Sequence, residues 1–186
     1  MKKSLLLVVV TFSILISCKK SNPAGGVTNF DAQHLTCTID GQPMIFNARL
    51  QATRTTTPTA TYPLTVIAIT GYLGQSGSNI PGLGIGWDNT SASATFGVGT
   101  WSDISSQYSI FGNYVIDSAD AWESGTGSTG QARLSGYNIT NPFKLVITYF
   151  DSTEVKGNFS GDFYFFGTVP SQKKTITDGD FVVRWK

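Results

Sequence analysis

The sequence predicts an all-β body, a single antiparallel β-sandwich with a partly closed β-barrel as the alternative. Turn-forming residues recur about every eight to twelve positions, and the segments between them alternate apolar with polar residues. No stretch of the body carries a 3.6-residue apolar stripe, and two Asp-Gly pairs sit between alternating runs, where both central residues of a type I′ turn need positive φ.

Taken in order, Asp40-Gly41 separates a strand at 34–39 from one at 43–49. Leu64–Tyr72 (LTVIAITGY) reads as a strand buried on both faces, followed by strands at Leu83–Trp87, Thr95–Trp101 and Tyr108–Ile116. Ala132–Ile139, Phe143–Phe150 and Lys156–Val169 come next, the last two joined by the turn Asp151-Ser152-Thr153-Glu154. Phe143, Leu145, Ile147 and Tyr149 share one face, and Phe159, Phe163 and Phe165 offer a matching one across that hairpin. Asp178-Gly179 is expected to close a final hairpin between Thr175–Thr177 and Asp180–Trp185. Some ten strands joined mostly by hairpins make a sandwich or a partly closed barrel.

Gly84-Ile85-Gly86-Trp87 and Gly97-Val98-Gly99-Thr100-Trp101 each place glycines at period two. Such spacing marks a bend under core aromatics or a face on which a ring or ligand lies close. Cys37 shares a period-two face with Leu35 and Ile39 and is expected to act as a small core hydrophobe.

Ahead of the body stands MKKSLLLVVVTFSILISCKK, with a basic start (Lys2, Lys3) and an apolar run from Leu5 to Ile16. The run is about 12 residues, short of the roughly 18 to 20 that span a bilayer, and reads as a secretory signal. Leu15-Ile16-Ser17-Cys18 resembles the bacterial lipobox. The resemblance implies cleavage before Cys18, a thioether-linked diacylglycerol on its sulfur and a second acyl chain on its nitrogen, which together hold a protein durably on a membrane. Residues 1–17 are then the signal peptide, 18–29 the lipidated cysteine with a flexible tether (KKSNPAGGVTN), and 30–186 one β domain. At about 3.3 Å per residue the tether keeps the body within some 35 Å of the lipid.

The segment KLVITYFDSTEVKGNFSGDFYFFG and the closing KTITDGDFVVRWK, with the opening Thr38-Ile39-Asp40-Gly41-Gln42 and Phe46-Asn47-Ala48, resemble a family of Bacteroidota lipoproteins built on "yD", "vxGxFxF" and "itxGxF" hairpins. The resemblance covers roughly 35–50 and 140–186. It implies an envelope compartment, the outer membrane, and a β fold; that family has no established activity, so it brings no catalytic residues. Surface-exported members are acidic after the cysteine, whereas Lys19-Lys20 stand here, which leaves the periplasmic and surface faces equally open.

Losing the signal removes Lys2 and Lys3 from the 13 basic residues and leaves 11 against 12 acidic, a balance that gives no footprint for nucleic acid. The single histidine, His34, and the single remaining thiol, Cys37, are too few for a zinc site and leave no Ser-His-acid or Cys-His arrangement. No cofactor is implied. What remains is a set of tryptophan–carboxylate neighbours: Trp87 with Asp88, Trp101 with Asp103, and Trp122 with Glu123. Indole faces stack on sugars while carboxylates accept hydroxyl hydrogen bonds. The expected function is therefore a non-enzymatic envelope module that binds an envelope protein or a glycan at a tryptophan-bearing rim. A carboxylate-dependent glycosidase and a structural or immunity-type lipoprotein are the alternatives.

Overall fold

The computed structural model describes residues 32–74, 80–89, 91–102, 108–117, 120–125, 139–165 and 172–186. Cys18 with its signal and tether, Asp103, and all but the last residue of the strand expected at Ala132–Ile139 lie outside these. Every regular element among the described residues is a strand: β1 His34–Ile39, β2 Gln42–Ile45, β3 Ala48–Thr57, β4 Leu64–Tyr72, β5 Gly82–Asn89, β6 Gly99–Ser102, β7 Tyr108–Val115, β8 Ala121–Gly125, β9 Lys144–Phe150, β10 Glu154–Phe165 and β11 Lys173–Arg184. The fold is all-β, and its strand pairs form one antiparallel sheet curled into a half-barrel.

The sheet runs β2-β1-β11-β10-β8-β7-β5-β4-β3, and β9 and β6 branch from β10. The branch arises inside β10. Val155–Ser160 pairs with β9, whereas Tyr164 and Phe165 pair with β8. Between them Gly161 adopts φ +143, and a Cβ there would stand 2.6 Å from the Phe143 Cα, so only glycine lets the strand turn from one partner to the other. At the far edge the curl nearly closes. Ala52 of β3 bridges Trp185 in parallel, and the Lys186 N–H donates to the Ala52 carbonyl at 3.0 Å.

Inside the curl lie Leu35, Phe46, Ile67, Ile69, Leu83, Ile85, Ile110, Phe143, Leu145, Phe163 and Phe181, all essentially without exposure. Cys37 is buried beside them as a free thiol, and burial pushes its pKa up to about 12. Asp40 (φ 50) and Gly41 (φ 81) form the expected type I′ turn, with Ile39 opposite Gln42.

Several expectations need correction. The strand expected over 43–49 breaks at Phe46-Asn47, where the buried Phe46 donates its N–H to the Leu35 carbonyl and the chain leaves β1 to begin β3. β4 is buried on one face only, at Thr65, Ile67, Ile69 and Gly71; its other face is partly exposed, and β5 is the strand covered on both sides. Tyr149 is 42% exposed because β9 slips register beside Lys156-Gly157, which turns it away from the face of Leu145 and Ile147. Asp178-Gly179 does not end a hairpin. It is a bulge inside the continuous β11, with Asp178 at φ 52 and Gly179 set so tightly over the Phe159 carbonyl that a Cβ would collide.

Candidate functional site

Alternation along β4, β5 and β7 sends Ile67, Ile69, Leu83, Ile85, Trp87, Ile110 and Tyr114 inward. The residues between them line the outer face: Ala68, Thr70 and Tyr72 on β4, Gly82, Gly84 and Gly86 on β5, and Phe111, Asn113 and Val115 on β7. The three tryptophans belong to the interior. Trp87 is 0%, Trp122 6% and Trp101 8% exposed. Trp87 stacks on Trp101 (centroids 5.9 Å apart, planes 20° apart) and meets Phe96 and Phe150, while Trp122 lies between Tyr114 and Phe165. The Nε1 groups of Trp87 and Trp122 are buried with no hydrogen-bond partner, a cost of about 1–3 kcal/mol each that the burial of two large rings offsets.

Nor do the three share a rim. Trp122 pairs with Tyr114, which faces Leu83, four residues before Trp87 and so about 13 Å away along β5. This corrects the expectation of a tryptophan-bearing binding edge: large apolar rings at period two follow the core face.

Among the described residues, the carboxylates beside the tryptophans, Asp88 and Glu123, stand apart. Asp88 stands at the end of β5 opposite Ser109, half-buried, and burial pushes its carboxyl up to about 6 against a backbone N–H of Ser109 that pulls it down. Glu123 stands on β8 opposite Asn113. Four residues along β7 and two strand spacings across put Asp88 and Glu123 roughly 16 Å apart, too far to flank one glycosidic bond at about 5 to 9.5 Å. Asp117 accepts the Asp120 N–H at 3.0 Å and holds the β7–β8 turn. His34 is engaged at both nitrogens, Nε2 with Asp180 Oδ2 at 2.5 Å and Nδ1 with the Ala32 carbonyl at 2.8 Å, contacts that hold its ring beside β11 at the start of β1. Among the described residues no three His, Cys, Asp or Glu side chains gather as metal ligands.

The glycine face of β5 carries a cleft. A cavity of about 310 Å³ opens over Gly82 and Gly84, at the small end of the range for ligand sites. Tyr72, Ile80 and Val115 give it apolar walls, and Thr70, Asn113 and Asp117 bring a hydroxyl, an amide and a carboxylate. Glycine makes the floor: a Cβ on Gly84 would collide with Asn113 Oδ1, and one on Gly82 would come within 2.9 Å of the Tyr72 ring. The Arg49 guanidinium lies 4.0 Å above that ring. The period-two glycines were the available signal. The side chains flanking them could not be assigned without the register of β4 and β7.

The chain matches no protein-family model, no curated protein and no solved structure.

Proposed function

We propose that this chain is an envelope lipoprotein, anchored through lipid on Cys18 in the outer membrane, whose β body is a non-enzymatic binding module for a small polar ligand, one or two sugar rings of a glycan, held in the cleft over Gly82 and Gly84. The anchor rests on the lipobox-like Leu15-Ile16-Ser17-Cys18. The cleft carries the binding reading: hydroxyl, amide and carboxylate side chains line it together with the glycines of β5 and an aromatic wall. The wide spacing of Asp88 and Glu123 favours binding over hydrolysis.

Calorimetric titration of the soluble chain with an oligosaccharide panel tests the cleft. Binding that disappears in Gly84→Ala, where a methyl fills the floor, supports it; a flat response of the parent protein across the panel removes the glycan. Metabolic labelling with palmitate tests the anchor, with label expected on the parent and absent from Cys18→Ser.

A protein partner is the second reading. It rests on the edge strand β2, whose Ile45 is 60% exposed. Cross-linking from intact envelopes through position 45 would detect that partner.

A further inference from the structure

Past the cleft the outer strip of β5 continues, because Gly82, Gly84 and Gly86 recur at period two and face the same way. Side chains of the neighbouring strands lean into the space these glycines leave. A Cβ on Gly82 would come within 2.9 Å of the Tyr72 ring, one on Gly84 would collide with Asn113 Oδ1, and one on Gly86 would come within 2.5 Å of the tip of the Phe111 ring. A tyrosine ring, an amide and a phenyl ring therefore follow one another along a single strand, each two residues or about 7 Å from the next.

The two rings are not equivalent. Tyr72 already carries the Arg49 guanidinium 4.0 Å over its ring, so it serves the cleft as a wall. Phe111 is half-buried: it rests on Gly86 and keeps part of its ring in solvent. By alternation it points away from the interior that Ile110 and Tyr114 of the same strand help to fill. Two residues beyond Gly86, Asp88 also faces out, opposite Ser109 and half-buried. By register, then, the Phe111 ring stands between the Asn113 amide and the Asp88 carboxyl.

The apolar face of a pyranose stacks on such a ring while its hydroxyls reach an amide on one side and a carboxylate on the other. The step of about 7 Å from Gly84 to Gly86 is close to the advance of one ring along a linear chain. We infer that the cleft continues into a second subsite on Phe111, so that the ligand is a linear oligosaccharide of three or more rings lying along β5, with one or two in the cleft and the next stacked on Phe111. This subsite rests on the reading of the cleft as a glycan site, and within it Phe111 sets the preference for chain length. One aromatic stack is worth about a three- to tenfold gain in affinity.

Calorimetry on the full chain, in a detergent without a sugar headgroup, tests this with linear gluco- and manno-oligosaccharides, α- and β-linked, from two rings to six. Affinity is expected to rise about three- to tenfold between two rings and four and to level off beyond. Phe111→Leu still covers Gly86 but offers no flat face. It should bind the disaccharide as the parent does and lose the rise, with its melting temperature little changed, whereas Phe111→Tyr should keep the rise. Affinity that does not grow with chain length, a rise that survives in Phe111→Leu or is lost in Phe111→Tyr, or an equal loss for the disaccharide and the longer chains would each overturn the inference. Gly84→Ala separates the two levels. Length-independent binding that this change abolishes leaves the glycan cleft standing and strikes the Phe111 subsite alone, while no binding of any series by the parent removes both.

Discussion

At Asp88 a single carboxyl makes stability depend on pH. Burial lifts it from 3.8 to about 6. Because the folded value lies above the unfolded one, the unfolded chain gives up its proton first as pH rises. The contribution is therefore intact below about pH 4, declines between 4 and 6, and stays low above. Asp88→Asn keeps an acceptor for the Ser109 N–H without the charge. Its melting temperature is expected to match the parent at pH 3.5 and exceed it at pH 7, by on the order of 1 kcal/mol of stability once the partial exposure of the group is discounted. Two glycines make a second contrast. The space a side chain would take at Gly84 is held by the mobile end of Asn113, whereas at Gly112 it is held by the ring of Phe163, which is fully buried. Thermal melts should show Gly112→Ala destabilised by about 1–3 kcal/mol and Gly84→Ala by less than 1.

The strands were mostly legible because their apolar residues alternate: β1, β4, β5, β7, β9 and β10 fall within a few residues of their expected limits. β3 and β8 were not foreseen. The β3 run ARLQATRTTT fully buries only Ala48 and Ala52, with Leu50 packed partly against the core, and β8, AWESG, is five residues with one large inward side chain. β11 misled for a different reason. Ile176 and Phe181 are five apart yet both buried, and a two-residue hairpin at Asp178-Gly179 would also bring them to one face. The distinction lies in long-range pairing: β1 and β10 both continue past the site, each meeting an extra residue there. Deleting Asp178 leaves Ile176 and Phe181 four apart, which a regular strand also sends to one face. That deletion is expected to keep cooperative unfolding with a loss of about 1–3 kcal/mol, whereas deleting Val182 inverts Phe181 against Val183 and should abolish the folded state; circular-dichroism melts separate the two. The site was legible only in outline. Glycines at 84 and 86 announced a close approach, but tryptophan neighbours drew attention to what is core.

On the scale of the whole molecule, the half-barrel is held at its seam by few bonds. Ala52 meets Trp185 and Lys186, and Trp185 packs on Phe150 with ring centroids 5.5 Å apart. Trp185→Ala should therefore let β3 amides exchange at least tenfold faster while the long β10–β11 pairing keeps its protection, as hydrogen exchange resolved by residue would show. The curl also separates two surfaces, an inner one filled by Trp87, Trp101 and Trp122 and an outer one that carries the cleft between Tyr72, Asn113 and Val115 over Gly82 and Gly84. In the proposed binding mode ligand meets the outer surface, and one titration reads both. Adding a glycan while following backbone amide and indole signals by NMR should move Gly82, Gly84 and Asn113 and leave the three indoles in place. Indole signals that shift while the cleft amides stand still would contradict the account.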